Sequence, residues 1–411
     1  MTNKNERETG ADGTRRDFLR LSALAAGAAM TGMHADALAA PRLAPANKSV
    51  LHHRFGLNYV PSKNWYYCYN DWDLAPIRAD MERMAGLGID HLRVMVVWPF
   101  FQTNPRTVSN AHLDRLDQLM QAAAAVGLDV MPCIYTGWLS GFHFNPHFYH
   151  DEPFYTSPKW AAAQALYLKA LSGRMARHAN FMGFDIGNEI GCNWTTKNLA
   201  EGDAWMAEVL RQMHAQAPGK VHVNGVDHTP WFQEHTFSPQ GILATHEIVP
   251  LHCWPYWTGA AKLGGTLDKP YTHMGASMAQ LVRSHARNPA KPVWMQEFGA
   301  GELDMPAKDL PRYVDMAIEA AVEKGVSWIT WWASHDVGRQ YDFHEFEYTL
   351  GLFDVNNKPK PHAKVFQRHA ERLRGKPVAL PTATPLPPPP KRNDEETWKW
   401  LMNDMQYKAK A

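Results

Sequence analysis

From Phe55 onward the chain alternates short β-branched or apolar runs with longer stretches of helical period, the pattern of parallel βα units and not of a sandwich. Eight runs read as strands: Phe55–Val60, His91–Val97, Asp129–Tyr135, Gly183–Asn188, Val221–Asn224, Ile248–Trp254, Val293–Phe298 and Ser327–Trp332. Between them the periodicity predicts helices at Leu74–Ala85, Leu113–Val126, Pro158–His178, Asp203–Gln216, Ala276–Arg287 and Leu310–Lys324, and a last one near Ala363–Arg374. An α/β fold follows, a (β/α)8 TIM barrel over residues 40–375. The segment Asp227 to Thr245, rich in His, Pro and Gly, shows no helical period.

The two ends depart from this pattern. Near the start, Thr14-Arg15-Arg16-Asp17-Phe18-Leu19-Arg20 precedes a mildly apolar run, Leu21 to Met33, and the small-residue pattern Ala37-Leu38-Ala39. This resembles a twin-arginine export signal covering residues 1–39, with cleavage before Ala40. The run is too short, and too interrupted by Gly and Thr, to read as a membrane anchor. The resemblance implies passage through the twin-arginine export machinery and a periplasmic or secreted enzyme with no stable membrane insertion after cleavage. At the other end, Pro381 to Pro390 reads as a stiff polyproline spacer within a terminal segment, 376–411, whose short tail is either a docking helix or unstructured.

Composition narrows the function. With 411 residues, of which 45% are hydrophobic and 20% charged, the chain can bury one large core. A formal net charge of +1, without long like-charge runs, carries no electrostatic footprint for nucleic acid. A neutral ligand suits it better. Cys68, Cys133, Cys192 and Cys253 are widely spaced and form no paired-Cys metal motif, so they read as buried free thiols, with one bridge left open.

The chemistry-bearing signals are two strands that end in glutamate. Phe184-Asp185-Ile186-Gly187-Asn188-Glu189 runs into a loop containing Gly and Trp, and Pro292-Val293-Trp294-Met295-Gln296-Glu297 runs into Phe298-Gly299. Side chains at the carboxyl ends of barrel strands point into the catalytic mouth. Three βα units separate the two, which assigns them to strands four and seven, across the mouth from each other.

This pattern resembles glycoside hydrolase family 5 and its clan A relatives, the cellulase and β-mannanase type of barrel, over roughly Phe55 to Arg374. The resemblance implies that Glu189 is the general acid/base and Glu297 the nucleophile of a retaining mechanism. It implies further that Arg93 braces the nucleophile, that Asn188 bonds a sugar 2-hydroxyl, and that Trp331 or Trp332 floors the sugar subsite. His252 matches the family's histidine on strand six. The family then places Tyr two residues later, where this chain has Trp254, a candidate substrate contact, with Tyr256 two further on; whether Tyr256 takes the hydrogen bond to the nucleophile stays open. Trp138, after strand three, is a candidate subsite wall.

The implied function is hydrolysis of β-linked manno- or gluco-configured oligo- or polysaccharides, without a cofactor and without a metal. β-Mannan or a β-mannoside is favoured, because Thr136-Gly137-Trp138-Leu139-Ser140-Gly141 resembles the loop after strand three in mannan-active relatives. A cellulase-like endo-β-glucanase and an inactive carbohydrate-binding barrel are the alternatives. The 16 tryptophans fit sugar stacking, and Trp98, Trp138, Trp194, Trp254 and Trp257 all fall in predicted loops of the catalytic face. A metal-dependent hydrolase is the competing chemistry, since the 21 histidines include the pairs His143/His147, His222/His228 and His246/His252. Against it, Pro146 breaks any helix aligning the first pair, and no His-Glu-x-x-His run occurs.

Overall fold

The computed structural model describes residues 49–382 and 384–409. The export-signal segment 1–39 lies outside the described residues. Eight parallel strands form the barrel: β1 (Arg54–Tyr59), β2 (His91–Met95), β3 (Asp129–Cys133), β4 (Asp185–Asn188), β5 (Val223–Gly225), β6 (Val249–Cys253), β7 (Val293–Phe298) and β8 (Trp328–Trp331). Their ladder order is β5-β4-β3-β2-β1-β8-β7-β6, and β5 and β6 pack side by side at the seam. The TIM barrel expected from the alternation is therefore present.

Eight helices complete the units: α1 (Leu74–Ala85), α2 (Asn110–Ala125), α3 (Pro158–Met175), α4 (Leu199–Gln216), α5 (Pro239–Thr245), α6 (Met274–Ala286), α7 (Leu310–Glu323) and α8 (Pro361–Leu373). Their starts follow local chemistry. Asp73, Ser109, Ser157, Asn198 and Ser238 each cap a helix by accepting a backbone N–H. Helix α5 corrects the sequence reading, which left Asp227 to Thr245 without a helix. Its single buried aliphatic, Ile242, is too little for a period, and Ser238 and Pro239 supply the start signal instead.

The bottom of the barrel is plugged by Met131, Val223, Ile248, Trp294 and Trp328, all nearly or fully buried. Two of the histidines considered as metal ligands brace this region. His222 Nδ1 accepts from Phe184 N–H at 3.1 Å, and His246 Nε2 accepts from Asn224 N–H at 2.9 Å. Burial pushes both imidazoles down, to about 4, so they stay neutral and able to accept.

The terminal segment ends in a helix, α9 (Asp394–Asp404), started by Asn393, whose side chain accepts from Glu396 N–H. Asp394, Glu395 and Glu396 in its first turn complement the helix dipole. It packs on α6 with Leu401 fully buried, while Ser277 Oγ donates to Asp404 Oδ2 at 2.7 Å and Trp398 Nε1 to Thr258 O at 2.8 Å. Cys68, Cys133 and Cys253 are buried free thiols, and Cys192 is free but exposed. No helix among the described residues is long and apolar enough to cross a membrane.

Candidate active site

At the carboxyl end of the barrel opens a cavity of about 800 Å³, lined by residues that include Asn188, Glu189, Trp254, Glu297 and Trp332. Strand ends deliver the two glutamates there. Glu189 follows β4 in a left-handed backbone conformation, φ 49° and ψ 47°, and its N–H donates to Gly225 O at 2.8 Å. A non-glycine residue in that region costs on the order of 1–3 kcal/mol, and such strain collects at functional sites. Here it turns the chain sharply out of β4, so the carboxylate aims into the mouth.

Glu297 reaches the cavity by a different local device. Leu251 pairs with Met295 but His252 pairs with Glu297, a register shift that leaves Gln296 as an extra residue in β7. Strict alternation would send Gln296 and Glu297 to opposite faces. The bulge lets both face the barrel axis.

Below the carboxylates lies a buried polar network centred on Arg93, which is fully buried. Its guanidinium donates to Glu297 Oε1 at 2.5 Å, Asp185 Oδ2 at 2.7 Å, Asn188 Oδ1 at 2.9 Å and Asn58 Oδ1 at 3.0 Å. Asp185 also accepts from Gly225 N–H at 2.7 Å and from Gln296 Nε2 at 3.3 Å. Position 225 must be glycine, because a Cβ there would stand 2.6 Å from both Arg93 Nη2 and Asp185 Oδ2.

The network also dictates a tautomer. Gln296 Nε2 points to the Asp185 carboxylate, so its Oε1 faces His252 Nε2 at 3.0 Å and must accept. Burial lowers the His252 pKa and keeps the ring neutral. With its one hydrogen on Nε2, the ring has only a lone pair at Nδ1, which lies 2.7 Å from Glu189 Oε1. A hydrogen bond there requires the proton to sit on Glu189.

The electrostatics of the two carboxyls agree with that assignment. Burial pushes Glu189 up to about 8, Asp227 adds to the rise, and Arg93 opposes it. Burial raises Glu297 too, but the Arg93 guanidinium and the indole of Trp254 oppose the rise, while Glu189 adds to it. The direct contacts to a guanidinium and an indole N–H belong to Glu297, so the pair holds its proton on Glu189 and its negative charge on Glu297. One ligand atom from each of Glu189, His252 and Glu297 lies within 4.8 Å of the others.

Several expectations change at this level. Tyr256 does not reach the nucleophile: it stacks on Phe346 at 4.3 Å, and Trp254 Nε1 donates to Glu297 Oε2 at 3.1 Å instead. A helical turn, Pro255–Thr258, begins right after Trp254 and carries Tyr256 sideways. Trp331 is buried, donating to Leu350 O at 2.8 Å, and it is Trp332 that lines the cavity. Successive strand residues point to opposite faces, so only one of the two could. Asn188 does line the cavity, with one Nδ2 hydrogen given to Trp138 O at 2.7 Å and the amide's second left to donate elsewhere. His252 is spent on Gln296 through Nε2 and on Glu189 through Nδ1, and it therefore stands behind the sugar site as a support for the acid.

Of the five rim tryptophans, Trp138, Trp254 and Trp257 line the cavity. Trp98 does not: it is fully buried, bonded to Gln102 at 2.7 Å and stacked with Tyr167, because the chain turns into the short helix Trp98–Phe101 straight after β2. Trp194 is half-buried, stacked on Phe154 at 4.0 Å. Sequence reasoning assigned no role to Asp185, Gln296, Asn58, Asp227 or Glu347. The first two sit inside the motifs that flagged the glutamates, and a polar residue within an otherwise apolar buried strand was the available signal.

A (β/α)8 barrel with two glutamates closing on one cavity from strands four and seven defines the class: a glycosidase. The family follows from the sequence, because the profile described as Cellulase (glycosyl hydrolase family 5) matches residues 51–337, and the chain belongs to that family. Among solved structures, a GH5_18 protein from Streptomyces cattleya in complex with Manβ1-4GlcNAc is 31% identical. That match covers 85% of this chain and 88% of the other, with a TM-score of 0.75. A GH5_18 protein from Bifidobacterium longum subsp. infantis is 27% identical over 86% and 90% of the two chains, with a TM-score of 0.77. A second Bifidobacterium longum GH5_18 structure, also in complex with Manβ1-4GlcNAc, is 27% identical over 81% and 80%, with a TM-score of 0.73. No curated protein sequence matches this chain.

Proposed function

We propose that this enzyme is a retaining β-glycosidase acting on β-linked mannosides, with Glu297 as nucleophile and Glu189 as general acid and then general base. The observation that carries the reading is the unlike pair: a proton-holding Glu189 on His252 and a guanidinium-paired Glu297, with oxygens within 4.8 Å. Retaining enzymes hold their carboxyls roughly 5–5.5 Å apart, whereas inverting ones need roughly 6.5–9.5 Å to fit a water between. Glu297 attacks the anomeric carbon as Glu189 protonates the departing oxygen. Water deprotonated by Glu189 then releases the sugar, and two inversions retain the configuration.

The manno configuration is supported by the two GH5_18 relatives whose structures hold Manβ1-4GlcNAc. The experiment is a panel of aryl β-mannosides, aryl β-glucosides and β-1,4-linked oligosaccharides, with products read by size and first anomer. Preference for glucosides, or an inverted first product, would overturn the corresponding part of the reading.

The Glu189, His252 and Glu297 atoms are spaced closely enough for a small cation. Yet Arg93 already fills one oxygen of Glu297, and His252 Nδ1 is bonded to Glu189. Full activity is therefore expected after exhaustive chelation; restoration of a lost activity by one added metal would contradict this.

We also propose export of the folded enzyme by the twin-arginine route through residues 1–39. That machinery reads paired arginines and not general charge, so Arg15→Lys combined with Arg16→Lys should retain active, uncleaved enzyme in the cytoplasm. Fractionation and mass measurement check it, and unchanged export of the double variant would refute it.

A further inference from the structure

Besides the catalytic pair, Asp227, Asp342 and Glu347 also line the cavity, and the reaction above uses none of them. Glu347 sits in a short 3-10 turn, Glu345–Thr349, in the loop after β8, and lines the same cavity as Glu189 and Glu297. The turn is held firmly on both sides of it. Phe346 is fully buried and stacks on Tyr256 at 4.3 Å with the rings 13° apart. Tyr348 accepts from Phe343 N–H at 2.8 Å, beneath the Arg339 guanidinium at 4.6 Å. Such a clamp fixes where the Glu347 side chain emerges.

Its surroundings lack the cation that normally pairs with a half-buried acid. The donors that face its carboxylate are the Ser140 hydroxyl and the Trp332 indole, and the charges acting on it, Glu297 and then Glu189, are both negative. Burial, with those two carboxylates adding, pushes its carboxyl to about 7. Ser140 stands at the turn of the hairpin formed by Trp138–Leu139 and Phe142–His143, with φ at 51°. Its side-chain oxygen is buried and lines the cavity beside the Glu347 carboxylate. A carboxylate that meets only two neutral donors and two like charges leaves acceptor capacity open on the cavity side, which a ligand's hydroxyls can fill.

The wall lies at a defined end of the cavity. Trp332, which lines the cavity with Glu347, donates its backbone N–H to Phe298 O at 2.9 Å, the residue directly after Glu297. In a double displacement the nucleophile contacts the sugar that stays on the enzyme, and the acid contacts the departing group. The Glu347 wall therefore adjoins the retained sugar.

We propose that Glu347, together with Ser140 and Trp332, is a substrate-binding wall that hydrogen-bonds hydroxyls of the retained sugar and so sets which sugar the enzyme accepts. The inference rests on the glycosidase reading above. A carboxylate accepts from two neighbouring hydroxyls at once, and Ser140 both donates and accepts, which suits a neutral polyhydroxylated ring. A site built around such hydroxyls rejects analogues that lack them, because its own polar groups are then left unpaired.

The test is a cycle between enzyme and substrate. Wild type, Glu347→Ala and the same-shape Glu347→Gln are each assayed on the preferred aryl glycoside and on its 3-deoxy, 4-deoxy and 6-deoxy analogues. Glu347→Ala should lower kcat/KM on the parent by roughly 100-fold. One deoxy analogue should cost the wild type a comparable factor and cost the variant nothing further. Losses that simply multiply for every analogue would overturn the proposal. If Glu347→Ala fails to fold, Glu347→Gln carries the same cycle. A wild type that bound sugars without hydrolysing any glycoside would sink the glycosidase reading alone. The cycle, read in Kd of the free deoxy sugars, would still decide Glu347: coupling to one hydroxyl supports it and uniform loss overturns it.

Discussion

Incubation with a 2-deoxy-2-fluoro glycoside bearing an activated leaving group is expected to label Glu297 and no other residue, and Glu297→Gln to lower kcat/KM by roughly 10⁴-fold or more. The fluorine slows formation and breakdown of the glycosyl-enzyme, while the good leaving group lets the first step proceed, so the intermediate accumulates. Glu297 is placed for this by two donors: Arg93 at 2.5 Å and the Trp254 indole at 3.1 Å. Replacing the carboxylate removes the nucleophile and leaves the fully buried Arg93 guanidinium short of one of its anionic partners. That second effect is a stability cost, so a melting curve must accompany the assay. Peptide mapping reads the label; a label on Glu347 or Asp227, or none on a turning-over enzyme, would refute the assignment.

Glu189→Gln should split substrates by leaving group. Hydrolysis of unactivated oligosaccharides should fall by roughly 10²–10⁴-fold, the usual contribution of a positioned general acid. Cleavage of a dinitrophenyl glycoside, which needs no proton, should keep its glycosylation burst while steady-state turnover slows for want of the base. Equal loss in both would argue against a proton donor. The pH profile gives an independent reading. A general acid acts while protonated, and burial holds the Glu189 proton until about pH 8. For unactivated substrates kcat/KM should therefore hold through neutral pH and fall as pH rises through about 8. The alkaline limb should disappear from the glycosylation burst of Glu189→Gln on the activated substrate. A limb that survives the substitution belongs to another group.

The proton on Glu189 depends on a chain of neighbours that no linear motif announces. Asp185 orients Gln296, Gln296 fixes the hydrogen of His252, and His252 offers Glu189 only a lone pair. The four come from β4, β7, β6 and the residue after β4, and they converge because the barrel brings those strands around one axis. A single inward-facing register error in any of them would break the chain.

The sequence by itself determined the alternation of strands and helices and the delivery of Glu189 and Glu297 at two strand ends, while the nearness of Arg93 to the nucleophile was implied only by the family resemblance. Those features are local or periodic: apolar runs of strand length mark buried parallel strands, and a polar residue ending such a run marks the mouth of the barrel. Only the tertiary structure decided the rest. Whether Trp331 or Trp332 meets the sugar depends on strand register, since one residue exchanges the two faces. The bulge that turns Gln296 inward beside Glu297 is a mismatch between two strands and exists in neither alone. Trp254 displaced Tyr256 at the nucleophile because a helical turn starts between them. Glu347 lies in an aperiodic loop, where spacing along the chain says nothing about distance in space. Its place beside the catalytic pair is set by Phe346 and Tyr348 packing into the core on either side of it.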